Sequence, residues 1–235
     1  MSKKRDDAAK RFDPEAVYGP LKSIELVKAA ATAKFDETVE ASFNLGIDPR
    51  QAEQGVRGTV ALPHGTGKNV RVLAFAEGEH ARAAQAAGAA LVGGAELAAA
   101  IAAGTQPLDW DITIAHPSMM AEVGKLGKAL GPRGLMPNPK AGTVTPDVGK
   151  AVKEFRGGRV EYRNDRFGNV AVGIGKVSFS AAQLRENLAT LVGEINRVKP
   201  SSSKGRYVKK LTLSSTMGLG VHVDVNTLDE LKEEE

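Results

Sequence analysis

The apolar residues of this chain change their spacing twice, and that change limits what it can fold into. Val39, Ala41, Phe43, Leu45 and Ile47 alternate with Thr38, Glu40, Ser42 and Asn44, the period-two signature of a strand with one wet face. From Asn69 the texture becomes short, wholly apolar runs such as VRVLAFA and DITIA, separated by alanine-rich helical stretches. Such strands, alternating with helices, require a parallel sheet with helices on its faces. Alternation returns at Val160 and Tyr162, again at Val170, Val172 and Ile174, and once more between Leu211 and Val225. Like elements at both ends and unlike ones between predict an α+β domain made from both termini, residues 1–66 and 158–235, with an antiparallel sheet and helices. An α/β domain with a parallel, Rossmann-like sheet, residues 67–157, is inserted into it. Two linkers, near 64–69 and 156–159, form a hinge in this reading.

Local signals fill in the elements. Pro20 opens a helix that runs to about Ala33, with Leu21, Ile24, Val27 and Lys28 on one face. VRGTVALP reads as a strand partnering the Val39–Ile47 strand, and GRVEYRNDRFGNVAVGIG as a hairpin turning at Asn164 to Gly168. Another helix spans about Pro146 to Phe155. Ser180 and Gln183 are spaced for a capping box, and Leu184, Leu188, Leu191, Val192 and Ile195 form the stripe of the helix they open.

Composition removes several classes of chemistry. The absence of cysteine excludes disulfides, thiol nucleophiles and zinc–thiolate sites. No run of about 18 apolar residues exists to span a bilayer, so no membrane partner is expected. MSKKRDDAAKRFD has no apolar segment after its charges, so it is not a secretory signal, and a cytoplasmic location is expected. The net charge of +4 permits a polyanionic partner, and DELKEEE at the end leaves the remaining body more basic than that total.

Catalytic motifs are missing. HGTGKN resembles a phosphate loop only superficially, because Leu62 stands at the first glycine position, Asn69 replaces the hydroxyl, and a strand follows. No G-x-G-x-x-G follows the first strand of the middle region, and no G-x-S-x-G occurs. His64, His80, His116 and His222 lack metal-binding spacing. No catalytic residue, cofactor or metal is assigned. The alternative, a nucleotide-binding enzyme using the inserted domain with His116 at the carboxyl edge of its sheet, rests on the fold class alone.

Three stretches suit a nucleic acid. KPSSSKGRYVKK carries five cations and no acid, Lys204 and Arg206 among them, and reads either as a solvated loop or as a phosphate contact. LGPRGLMPNPKAGT, with Lys125, Lys128, Arg133 and Lys140 in or near it, reads either as an RNA loop or as an apolar cover through Leu135 and Met136. SSTMGLG interrupts the last alternating run with hydroxyls, a thioether and a bare backbone. A glycine bulge with Met217 in the core is one reading. A recognition patch is the other, with hydroxyls for RNA 2′-OH groups, Gly218 for close backbone approach and Met217 for an apolar contact. On the second reading, Thr216→Val weakens RNA binding with little effect on folding.

These stretches, with ATAKFDETVE, LGIDPR, VRGTVALPHGTGK, EYRNDRFGNV and STMG in the same order, closely resemble the bacterial large-subunit ribosomal protein L-one family from about Tyr18 to Val225. The resemblance implies that the two-termini domain grips the stalk helices of large-subunit rRNA as a monomer within the ribosome. It also implies that the inserted domain moves with exit-site tRNA and supports its release, and that the protein represses its own operon mRNA at an rRNA-like site. The family pattern places RNA contacts on Lys34, Phe35, Thr38 and Glu40, on Arg163, Asn164, Asp165 and Arg166 with Lys176, and on Ser214, Thr216, Met217 and Gly218.

Overall fold

The computed structural model describes residues 9–232; most of the charged N-terminal run and the final three glutamates of the acidic tail lie outside them. The chain divides into two compact units, one formed by the residues up to Gly67 with those from Val160 onward, the other by Lys68–Arg159.

In the first unit a five-stranded sheet has the order β1-β10-β9-β2-β8. Its strands are β1 (Val17–Tyr18), β2 (Thr38–Leu45), β8 (Asn169–Lys176), β9 (Val208–Ser215) and β10 (Val221–Val223). All pairings are antiparallel except β1 with β10. Residues of period two behave as their pattern requires: Val39, Ala41, Phe43 and Leu45 are buried, as are Val170, Val172, Ile174, Leu211 and Leu213. They pack with Ile24 and Val27 of helix α1 (Pro20–Ala30) and with Leu184, Leu188, Leu191, Val192 and Ile195 of the long helix Ala181–Arg197. Both helices thus cover one face of the sheet, and the other face is open. The capping box at the start of the long helix is present in both directions, Ser180 Oγ accepting from the Gln183 amide and Gln183 Oε1 from the Ser180 amide.

Three expectations change. Leu21 is exposed and Ser23 is buried in its place, because the Ser23 hydroxyl donates back to the Gly19 carbonyl at 2.9 Å and carries no unpaired polar atom inward. Helix α1 stops at Ala30, three residues early, where the chain turns extended at Ala31. The strand pairing also differs. β3 (Arg57–Ala61) pairs with β7 (Arg159–Arg163) in a separate two-stranded ladder, not with β2, so β7 and β8 belong to different sheets and do not form a hairpin. Asp165 N–H still reaches the Asn169 carbonyl at 2.8 Å. Ahead of that turn Tyr162 points into the core, its hydroxyl donating to Glu194 at 2.8 Å.

In the second unit, three parallel strands have the order β5-β4-β6, where β4 is Val72–Phe75, β5 Leu91–Gly93 and β6 Ile112–Ala115. Every residue of β4 is buried, as the continuous apolar run required. The helix predicted from Pro146 begins at Val148, capped by the Asp147 side chain on the Lys150 amide at 3.0 Å. Leu135 is buried beside Leu73, Phe75 and Leu130, with Met136 against the same cluster. The glycine- and proline-rich segment is therefore an apolar cover, while Lys128, Arg133 and Lys140 remain on its outside. Lys68 of HGTGKN pairs with Asp111 at 2.5 Å, within its own unit. His80 and His116, far apart in sequence, meet as stacked rings 4.4 Å apart. Among the described residues no group of three or more histidine or acidic side chains is placed to hold a metal ion, and no helix is long and apolar enough to cross a membrane.

Candidate nucleic-acid interface

The open face of the five-stranded sheet carries small and polar side chains in register. Glu40 lies opposite Ser214 on one side and Gly173 on the other; Ser42 lies between Thr212 and Ala171, and Asn44 between Lys210 and Asn169. No large apolar residue interrupts these rows, so a ligand can approach the backbone itself. The residues singled out from sequence lie at the two opposite ends of the sheet. β8 has eight residues from Asn169 to Lys176, which at about 3.3 Å per residue separates the ends by roughly 23 Å.

At one end stand Lys34, Phe35, Thr38, Glu40, Lys176, Ser214, Thr216, Met217 and Gly218. The interruption in the alternating run is the turn between β9 and β10, whose residues pair as Leu213 with Val221 and Leu211 with Val223. Met217 is 64% exposed and Phe35 56% exposed, which excludes the reading with Met217 in the core. Lys34, Glu40 and Thr216 are exposed as well.

What fixes this end is a carboxylate that the sequence reading passed over. Glu37 is only 1% exposed, and both its oxygens are saturated. Oε1 accepts from the amides of Thr32 at 3.1 Å and Ala33 at 2.9 Å; Oε2 accepts from the Ser215 hydroxyl at 2.7 Å and the Met217 amide at 2.8 Å. Burial pushes its pKa up, but the hydrogen bonds from Met217, Ser215, Ala33 and Thr32 outweigh that, and the net shift is below the ordinary 4.5. Glu37 thus ties the loop carrying Lys34 and Phe35 to the turn carrying Met217. The signal was legible: Glu37 is in phase with Val39 and Ala41, on the buried side of the alternation.

The neighbouring groups are tied in too. Thr216 Oγ1 accepts from the Thr38 amide at 2.9 Å, so its hydroxyl is part of the frame, and Thr216→Val is expected to cost stability as well as binding. Lys176 Nζ donates to the Thr38 hydroxyl at 2.9 Å. Asp36 accepts from the Ser178 hydroxyl at 2.7 Å and the Ser178 amide at 3.1 Å, and these bonds hold its carboxyl below the usual range. A Cβ at Gly218 would stand 2.3 Å from the Ser215 hydroxyl that serves Glu37. Gly218 is thus required by internal packing before any ligand arrives.

At the other end lie Arg163–Arg166, Lys204 and Arg206. Asn164 spends its backbone N–H and Oδ1 on Val56, just before β3, and Asp165 its carboxylate on the turn itself. The Asn164 amide donates to the Val56 carbonyl at 2.9 Å and its Oδ1 accepts from the Val56 amide at 2.8 Å, while Asp165 Oδ1 accepts from the amides of Phe167 at 2.7 Å and Asn169 at 2.8 Å. Arg163 and Arg166 are exposed. Lys204 and Arg206 are exposed on the loop before β9, Arg206 donating to Asn226 at 2.6 Å. That loop is pinned where the Ser203 hydroxyl reaches the Gly46 carbonyl at 2.8 Å.

Comparison with known proteins agrees with this architecture. The model of the ribosomal protein L1p/L10e family matches residues 27–219. The protein named large ribosomal subunit protein uL1 from a Nocardioides species is 56% identical over 219 residues, covering 93% of this chain and 90% of its own. The chain belongs to the ribosomal protein L1p/L10e family, whose members are structural, non-enzymatic components of the ribosome.

Proposed function

We propose that this chain is a component of the large ribosomal subunit, where it binds a folded stalk region of large-subunit rRNA through the open face of its five-stranded sheet. The observation that carries this reading is the frame around Glu37, which orders an exposed methionine, an exposed phenylalanine and Lys34 beside an edge of hydroxyls. A-form RNA presents 2′-hydroxyls and sugar edges in a wide, shallow groove, and preorganised hydroxyls and bare backbone suit that surface. Cations at the far end of the face, Lys204, Arg206 and the arginines around the Asn164–Gly168 turn, supply phosphate contacts. In this reading the inserted unit supports the movement and release of deacylated tRNA from the exit site. A similar RNA fold in the protein's own operon mRNA is bound by the same face, which represses translation. The two RNAs share one surface.

The test is binding of the full chain to a transcript of the stalk rRNA and to a plain RNA duplex of equal length, across a salt series. Tighter binding to the stalk, persisting at raised salt, supports readout of shape and hydroxyls. Equal and steeply salt-dependent binding to both overturns it. The Lys204→Ala, Arg206→Ala double variant is expected to lower the salt slope by about one to two, and an unchanged slope removes these cations from the interface.

A further inference from the structure

Phe167 is the most exposed large apolar side chain among the described residues, at 67%. A lone exposed hydrophobe is ordinary on a protein surface, but this one is held in a way that a passive residue does not need. It sits at the tip of the turn into β8, and its own amide is locked at 2.7 Å on the Asp165 carboxylate. The same oxygen takes the Asn169 amide, and Asp165 Oδ2 accepts from the Asn169 side chain at 3.0 Å. These bonds hold the Asp165 carboxyl below its ordinary value, so the pin is charged at neutral pH. Gly168 then takes a positive φ of 80°, and its carbonyl accepts from the Leu45 amide at 2.9 Å. The tip is thus fastened to the end of β2 and presents its aromatic ring from a rigid base. The Arg166 guanidinium lies 5.0 Å from the ring centroid, a cation over one aromatic face, which leaves the ring exposed elsewhere.

An aromatic ring backed by arginine, rigidly presented at the end of a polar sheet face, has the chemistry that recognises an unpaired nucleobase: the ring stacks on the base while the cation serves the adjoining phosphate. We propose that Phe167, backed by Arg166, stacks on an unpaired base of the bound RNA, roughly 23 Å along the sheet from the Glu37 frame. This inference rests on the RNA-binding reading above and adds to it a single-stranded contact, distinct from the helical surface met by the hydroxyl edge. It predicts that the RNA partner carries a bulged or looped nucleotide about half a helical turn or more from the helical contact.

The experiment uses the full chain and two kinds of probe: an RNA hairpin with a fully paired stem, and the same stem with a single unpaired adenosine stepped through successive positions. The readout is the affinity ratio between the best bulged RNA and the plain stem. The wild-type chain is expected to prefer the bulged RNA by about tenfold, Phe167→Ala to abolish that preference, and Phe167→Tyr to retain it. Equal ratios for wild type and Phe167→Ala at every position, with RNA still bound, overturn the stacking proposal and leave the RNA-binding reading standing. Proportional loss on both RNAs also overturns it, because the ring then acts on the fold and not on the base. Failure of the wild-type chain to bind any of these RNAs at low salt overturns the stacking proposal, and failure to bind the stalk transcript as well overturns both readings together. As an independent signal, Phe167→Trp places an exposed indole at the tip, and quenching by the bulged RNA but not by the plain stem is expected against the constant background of the buried Trp110.

Discussion

The Ser215 hydroxyl donates to the Glu37 carboxylate at 2.7 Å, joining the end of β9 to the residue that leads into β2 across 178 residues of sequence. The four donors around Glu37 lie on two stretches, Thr32–Ala33 and Ser215–Met217, so both depend on one side chain.

Glu37→Gln keeps the shape of the side chain but turns an NH2 group toward N–H and O–H donors. The expected cost is about 2–3 kcal/mol of folding stability, from the two donors left without an acceptor in a buried site. Urea denaturation monitored by circular dichroism measures it, and a midpoint equal to that of wild type contradicts the role assigned to this carboxylate.

Acid should loosen the same frame. Glu37 and Asp165 both have pKa values below their ordinary 4.5 and 3.8 in the folded chain. A carboxyl lowered by folding contributes its full stability above the unfolded value and loses it as the pH falls through the folded one. Stability is therefore expected to be flat above about pH 5 and to decline below the ordinary carboxylate values. In Glu37→Gln the decline should be shallower, which denaturation midpoints between pH 7 and pH 3 determine.

Thr216 separates structure from recognition. Valine at this position leaves the Thr38 amide, now bonded to Thr216 Oγ1 at 2.9 Å, without its acceptor. A loss of about 1 kcal/mol in stability is expected, together with weaker RNA binding. Serine restores the oxygen and should recover stability; RNA titrations of the same pair then show whether the hydroxyl alone suffices for binding.

Asn187 is fully buried, accepts from the His64 amide at 3.1 Å and donates to the carbonyls of Gly65 and Ile174 at 2.9 and 2.7 Å. Leucine fills the space but satisfies none of the three groups, and a cost of about 3 kcal/mol is expected. Hydrogen exchange should show faster opening at His64 than in β2, because this amide hangs on that one side chain. Protection unchanged at His64 would contradict the anchoring role.

The period of the apolar residues revealed which face of β2, β8 and β9 is buried, because alternation and burial obey the same geometry. It could not reveal which strand lies beside which. β3 and β7 alternate well enough to suit several neighbours, and their pairing with each other depends on contacts such as Asn164 with Val56, 108 residues apart. Helix α1 turns Ser23 inward and Leu21 outward for a related reason: a serine that bonds its own helix backbone is as buriable as an alanine, and hydropathy does not register that. In the site, exposed residues were legible as motifs, whereas Glu37 was not, because an acid between a loop and a strand resembles any solvated charge until its phase is counted. Gly218 was assigned to ligand approach, and its nearer constraint, the Ser215 hydroxyl 2.3 Å from any added Cβ, is visible only in three dimensions.

The place of β2 in the sheet has a consequence for how the chain is made. β2 is hydrogen-bonded to β8 and β9, so this early strand waits for both of its neighbours until more than a hundred further residues have been added. The three parallel strands of the other unit, in contrast, are complete by Ala115. During synthesis the inserted unit has all its strands while the outer sheet is still a set of unpaired edges. The Glu37 frame closes only when Met217 has been added, 180 residues after Glu37 itself. A nascent chain that stops short of Met217 therefore cannot display the complete interface, and cannot compete for RNA through it.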